Sequence, residues 1–248
     1  MIERIAGNRL ALAGLFVLAM LAGAGVLLGV QRFVPSAPGG DRAAMEQVVH
    51  DYVLAHPEII PQAMQKLQDQ QTGAMIAANK SAILDPVGSA WAGNPKGDVT
   101  LVEYFDYDCG YCRASLPMLA ELVKDDPKLR IVFREYPVLT PESETAARWS
   151  IAAAKAGKFE AFHHALYGLG PVSDATILAA AKQVGLNPGK LRAAATEPAV
   201  EEEIQKNLAI GRELGMTGTP SWVIGDRVLS GALSLDHMKQ AIADARAG

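Results

Sequence analysis

Cysteine is nearly absent from this chain: two residues in 248, at positions 109 and 112. Two are too few for the multi-bridge scaffolds that stabilise small exported domains, so the fold must rest on a hydrophobic core. A basic field is missing as well. The 23 Lys and Arg are outnumbered by 27 Asp and Glu, for a net charge of −4. No Lys/Arg cluster interleaved with aromatics occurs, which removes nucleic acid from the expected partners. There is no internal repeat and no low-complexity tract beyond a general richness in alanine. What the chain does have is apolar material: 50% of its residues are hydrophobic. In a chain of this length that is enough for one large domain or two small ones.

The mean hydropathy of +0.11 is high for a water-soluble protein and has a local cause. From Leu10 to Val30 runs an uncharged stretch of 21 residues, long enough as a helix to cross roughly 30 Å of hydrocarbon. Arg4 and Arg9 precede it, and Gln31 and Arg32 close it. Ala22-Gly23-Ala24 has the small-x-small character of a signal-peptide cleavage site. The apolar run continues past it through Val26 to Val30, however, which suits an anchor better. We expect a transmembrane anchor over residues 10–31, with a cleaved signal peptide as the alternative, and a cytoplasmic tail over 1–9. No cysteine lies near the N-terminus to carry a lipid. Residues 32–42, with Val34-Pro35-Ser36-Ala37-Pro38-Gly39-Gly40, read as a linker.

Downstream, Met45, Val48, Val49, Tyr52 and Val53 repeat at helical spacing. After a break at His56-Pro57-Glu58 so do Ile59, Ile60, Ala63, Met64 and Leu67. Two short amphipathic helices over 43–72 are expected, to pack on the rest of the chain or against a second copy. A further domain over 85–248 opens with Val99-Thr100-Leu101-Val102-Glu103-Tyr104-Phe105, a buried strand by composition. Cys112, Leu116, Leu119, Leu122 and Val123 follow at helical spacing. Leu129 to Arg134 then returns as a strand, so the three make one βαβ unit with a parallel pair. Residues 141–215 are Ala-rich and helical in spacing and read as a helical insertion. Ser221-Trp222-Val223-Ile224 and Arg227-Val228-Leu229 flank Gly225-Asp226, a hairpin turn signal, and Leu235 to Ala245 make a last helix.

The chemistry lies in Cys109-Gly110-Tyr111-Cys112, where strand hands over to helix. Cys109 is then at or just before the helix N-terminus, where unpaired amides and the helix dipole favour a thiolate. Cys112 is carried one turn in, less accessible and within disulfide reach. Cys109 is the expected nucleophile and Cys112 the resolving thiol. The dipole contributes at most ~2 kcal/mol; anything further must come from the Gly110, Tyr111 and Cys112 amides. One alternative is half of a zinc site completed by His163 and His164. Adjacent histidines point in different directions from a helix, however, and standard sites space them by three to five residues. Another is an inert disulfide, which would close so short a loop that it stabilises little. Glu103, six residues before Cys109, stands in an otherwise apolar strand. A buried carboxylate there is costly unless it takes the Cys112 proton; an outward-facing side chain is the alternative. Thr219-Pro220 opens the hairpin strand, where proline is ordinary.

The run Val102-Glu103-Tyr104-Phe105-Asp106-Tyr107-Asp108-Cys109-Gly110-Tyr111-Cys112-Arg113, Pro117, the helical insertion and Gly218-Thr219-Pro220 together resemble the DsbA-like branch of the thioredoxin superfamily. The likeness covers roughly 85–247. It implies an α/β thioredoxin-like fold and a thiol:disulfide oxidoreductase. It also implies a cis Pro220 facing the cysteine pair, a Thr219 that offers backbone groups to a bound peptide beside Gly110 and Tyr111, and a Glu103 buried beneath the cysteines. Gly-Tyr between the cysteines, in place of Pro-His, and Thr before the proline, in place of Val, are similar to disulfide isomerase and ScsC-type relatives. So is the segment 48–67, which in some such proteins oligomerises. From this follow the expected partners: exported protein substrates, a membrane redox partner, the bacterial inner membrane through Leu10–Val30, and a second copy of the chain through 43–72. The catalytic domain would face the periplasm. No bound cofactor and no metal are expected, because the two sulfurs carry the electrons; the rival is a thiol protein that holds copper or zinc without turnover.

Overall fold

The computed structural model describes residues 17–25 and 42–247. Residues 17–25 are helical and exposed. The remainder of the expected anchor over 10–31, the tail over 1–9 and the linker up to residue 41 lie outside the described residues. Among the described residues no helix is long and apolar enough to cross a membrane.

Two units divide the chain, residues 1–63 and 64–248. In the first, α1 (Arg42–Ala55) and the start of α2 (Ile59–Ala78) are separated by His56-Pro57-Glu58, as the proline-marked break requires. The apolar residues Met45, Val48, Val49, Tyr52, Leu54 and Ile60 are exposed there. The second helix continues well beyond the expected end at 72, because nothing between Leu67 and Ala78 breaks it and Ile76 gains a core to enter.

The second unit is built on a five-stranded sheet. Its strands are β1 (Trp91–Gly93), β2 (Val99–Phe105), β3 (Leu129–Glu135), β4 (Ser221–Ile224) and β5 (Arg227–Ser230). Their order is β1-β3-β2-β4-β5. Strands β2 and β3 are parallel, and all other neighbours are antiparallel. The parallel pair is joined by α4 (Gly110–Asp125), the crossover helix of the expected βαβ unit. Gly225, at φ +58, opens the turn between β4 and β5, where a side chain would strain the backbone. Strand β1 was not foreseen from the sequence. Trp-Ala-Gly has no strand pattern of its own and is held extended only by pairing with β3.

Side chains of β2 alternate between two buried layers. Leu101 and Phe105 join Leu119 and Leu122 of α4, Trp222 and the helices of the insertion on one face. Val102 and Tyr104 join Ile76, Ile83 of α3 (Lys80–Leu84), Ile210 and Leu214 on the other. A sheet covered on both faces accounts for the near-continuous apolar reading of β2 and β3. The cover of the second face starts upstream of residue 85, with Ile76 and Ile83.

The insertion is helical throughout: α5 (Pro141–Lys155), α6 (Phe159–Gly168), α7 (Asp174–Gln183), α8 (Pro188–Ala195) and α9 (Pro198–Glu213). Thr140 caps α5 by accepting from the Ser143 amide, with Pro141 in the first turn. Buried Ala146, Ala147, Ala152, Ala153 and Ala154 leave room for neighbouring helices to approach closely. The chain closes with α10 (Leu235–Ala247).

Candidate active site

The strand-to-helix junction between β2 and α4 collects most of the residues singled out from sequence. Cys109 is the N-cap of α4, with extended backbone (φ −82°, ψ 113°), and its amide donates to Asp106 O at 3.1 Å. Asp106 fixes this junction. Its carboxylate accepts from the amides of Asp108 (2.8 Å), Val138 (2.9 Å) and Leu139 (3.0 Å) and from the Ser143 hydroxyl (2.6 Å). One buried side chain thus ties the loop after β2 to the loop after β3.

Both cysteines are free thiols. Cys109 keeps 6% of its surface, against 1% for Cys112. Gly110 and Tyr111 between them are exposed, Tyr111 at 68%. The more open sulfur therefore lies at the helix N-terminus beside an exposed dipeptide, and the second lies beneath it, as one helical turn demands. Burial pushes the Cys112 thiol well up, and the charge on Glu103 pushes it further. A thiol in that state attacks only if something takes its proton.

Glu103 lies in the same buried layer. It is 1% exposed, on the α4 face of β2, flanked in register by Phe133 and Trp222. The outward-facing alternative is excluded by that burial. Its carboxyl is held well above the usual carboxylate range, first by burial and then by the charge at Cys109. Its Oε2 has no hydrogen-bond partner.

From the far side, the Thr219–Pro220 peptide bond is cis, and the Cys109 thiol donates to the Thr219 carbonyl at 3.2 Å. Residues 110 positions apart in sequence meet at the Cys109 sulfur. Pro220 is buried, while Thr219 keeps partial exposure.

His163 is not paired with His164 in a ligand set. It is buried in the core, with Nδ1 3.0 Å from Tyr107 Oη and its ring stacked on Phe159; burial pulls its pKa down to about 3. His164 is exposed. Among the described residues no three His, Cys, Asp or Glu side chains are gathered as a metal set. Three buried polar residues near the cysteines were not picked out from the sequence: Tyr107, Ser150 and Glu135. Glu135 carried a weaker signal than Glu103, because it ends a strand that also holds Arg130 and Arg134.

Residues 100–243 match the family model described as DSBA-like thioredoxin domain. The chain belongs to that family. Residues 41–74 match the model of the copper resistance protein ScsC N-terminal domain. Among solved structures, a thioredoxin-like oxidoreductase from Silicibacter pomeroyi is 39% identical with a TM-score of 0.66, covering 68% of this chain and 99% of that one. The thiol-disulfide exchange protein alpha-DsbA2 from Wolbachia pipientis is 30% identical with a TM-score of 0.65, covering 72% and 97%. Among curated proteins, the Na(+)/H(+) antiporter NhaA 1 of Salinispora arenicola is 27% identical over 168 residues, which are 66% of this chain and 26% of that protein. The chain spans about a quarter of the length of the curated relatives it matches. The DsbA-like thioredoxin fold expected from the motif run is thereby established.

Proposed function

We propose that this chain is a thiol:disulfide oxidoreductase that exchanges disulfides with exported proteins through Cys109 and Cys112. The observation that carries the reading is the arrangement at α4: an N-capping Cys109 under the Thr219 carbonyl, with Cys112 buried behind it on the same side of the sheet as Glu103. In the oxidised form, a substrate thiolate attacks Cys109 Sγ, the Cys109–Cys112 bond breaks, and Cys112 leaves as a thiolate that takes a proton from Glu103. A second substrate thiol then attacks the substrate sulfur of the mixed disulfide and expels Cys109, whose charge the helix N-terminus favours. The substrate gains a disulfide, and two electrons pass to the cysteine pair. Run backwards, Cys109 attacks a substrate disulfide and Cys112, its proton passed to Glu103, releases the product. The sulfurs carry the electrons, so the cycle calls for no bound cofactor or metal.

Thr219, Pro220, Gly110 and Tyr111 frame the approach to Cys109 and are the proposed substrate contacts. Gly-Tyr and Thr219 favour an isomerase or mild oxidase over a strong oxidase. We place the catalytic domain in the periplasm, anchored in the inner membrane by Leu10–Val30, recharged by a membrane redox partner, and associated with further copies through 43–72. The exposed apolar residues of α1 support that last point. Insulin reduction and scrambled-RNase reactivation by the full chain test the activity. Cys109→Ser should reduce both to background, and activity surviving in that variant would remove the proposal. Alkylation trapping in cells assigns direction: mostly disulfide indicates an oxidase, mostly dithiol an isomerase. The rival, metal held without turnover, would show stoichiometric copper or zinc on the reduced chain with no exchange.

A further inference from the structure

A recess on the α4 side of the sheet takes no part in the exchange cycle. It is a cleft of about 720 Å³ between the second half of α4, the edge strand β1 and the start of α6. None of Cys109, Cys112, Thr219 and Pro220 lines it. Its walls are apolar: Leu116, Leu119 and Val123 from α4, Trp91 from β1, Phe133 from β3 and Phe159 from α6. Ala120, Gly157 and Ala161, also in the wall, put no bulk into the space. The charged lining residues, Lys158 and Glu160, are exposed to solvent.

His163 is the buried polar side chain of this wall that is left with an open valence. It is 2% exposed, with its ring stacked on Phe159 and edge-on to Phe105, centroids 4.9 Å apart in both cases. Nδ1 lies 3.0 Å from Tyr107 Oη. Nε2, on the other side of the ring, is buried and has no hydrogen-bond partner among the described residues. Ser89, by contrast, is committed: its hydroxyl donates to Ala154 O and accepts from the Phe159 amide. A neutral imidazole has one donor nitrogen and one acceptor, and burial keeps this one neutral, with a pKa of about 3. Tyr107 takes one of the two roles and leaves the other at Nε2. A hydroxyl group, which both donates and accepts, answers either. A buried polar group left unpaired is costly, and an apolar cleft with one such group in its wall has the general form of a small-molecule site, typically about 300–1,000 Å³.

We propose that this cleft binds an uncharged, largely apolar small molecule that carries a hydroxyl group, with the hydroxyl bonded to His163 Nε2 and the apolar body packed between α4 and α6. The neutral imidazole and the apolar walls offer no counter-charge at the inner end, which excludes an ionic group there. The site stands apart from the cysteine pair and does not depend on the exchange reading.

The experiment uses the full chain, isotope-labelled at the tryptophan indole nitrogens and kept in one detergent solution. It is titrated with 2-naphthol and, separately, with naphthalene, the same ring system without the hydroxyl. Of the three tryptophans only Trp91 lines the cleft, while Trp149 and Trp222 are buried elsewhere and serve as internal controls. The Trp91 indole signal should shift with a half-point below about 1 mM 2-naphthol, and the other two should stay in place. 2-Naphthol should bind about tenfold more tightly than naphthalene, the worth of one hydrogen bond, and in His163→Phe that ratio should fall to about one. Comparing the ratio between chains removes the partition of each probe into detergent. Ala120→Phe, which keeps His163 and adds bulk to the cleft wall, should abolish the Trp91 shift. An unmoved Trp91 signal in the unsubstituted chain overturns the site, as does a shift that persists undiminished in Ala120→Phe. A ratio that is the same in the unsubstituted chain and in His163→Phe overturns the assigned ligand class. Should His163→Phe not fold, the ratio in the unsubstituted chain decides: equal affinity for the two probes refutes the hydroxyl bond.

Discussion

On the face of the sheet away from α4, Arg134 is 1% exposed. It donates to Ile83 O (3.2 Å), to Asp85 O and to Glu203 Oε1 (2.7 Å), and Lys206 completes the set on Glu203. On the α4 face, Glu103 and Glu135 are as deeply buried, each with an oxygen that has no partner. Arg134 and Glu135 are adjacent on β3, and Glu103 lies on β2 beside them. A buried charge that serves only the fold is surrounded by its complement, because leaving it bare costs several kcal/mol. An acid kept bare retains its proton, and a retained proton can be exchanged. The first arrangement serves the fold, and the second is the one on which the proposed exchange draws.

That contrast can be broken in several places. The largest effect is expected at the resolving sulfur: Cys112→Ser should accumulate a Cys109-linked mixed disulfide that persists instead of resolving, seen as a stable mass adduct. On the paired face, Arg134→Ala leaves Glu203 without its main partner and should cost about 3–5 kcal/mol in urea unfolding, with exchange per folded molecule unchanged. A loss under 1 kcal/mol would show that the pair is dispensable to the fold. On the unpaired face the expected signs are reversed. Glu103→Gln should slow Cys112 resolution on the order of 10²-fold, the range for loss of a positioned proton acceptor, and yet raise stability at pH 8.

The sign of that gain follows from linkage. A carboxyl whose folded value is raised stabilises the fold fully below its ordinary value near 4.5, and this is lost as pH rises through the folded value. The advantage of Glu103→Gln should therefore vanish by about pH 4. A gain that is constant with pH would assign it to packing instead. His163 acts oppositely. With its pKa drawn down to about 3, it is neutral in the fold and charges on unfolding, so its contribution is present above the ordinary value of 6.5 and fades as pH falls toward 3. The smallest effect should come from Tyr107→Phe, which removes the hydroxyl shared by Ser150 and His163. A loss of about 1–3 kcal/mol is expected, measured by thermal unfolding at pH 7.

Much of this was legible in the residues. The short β-branched and aromatic run around Glu103, the helical spacing after Cys112 and the Gly225-Asp226 turn each fix a local conformation that the tertiary fold keeps, since strand, helix and turn preferences are local properties. The His163–His164 pair has an equally local reading: the two leave a helix in different directions, and the structure buries one and exposes the other. Strand β1 was missed because its conformation is supplied by β3. The continuation of α2 past residue 72 was missed because Gln68-Asp69-Gln70-Gln71-Thr72 interrupts the apolar period and Ile76 finds its partners only in the folded sheet.

By itself the sequence determined a lone cysteine pair at a strand-to-helix junction, with one acid upstream and a proline far downstream, because chain order and side-chain period reach that far. Only the tertiary structure decided that Thr219, 110 residues on, lies against Cys109, that Glu103 is bare while Arg134 is matched, and that Glu135 shares the Glu103 layer. Those outcomes depend on which face of a sheet each side chain enters and what the opposing helix brings to it, and no window of residues along the chain contains both halves of that pairing.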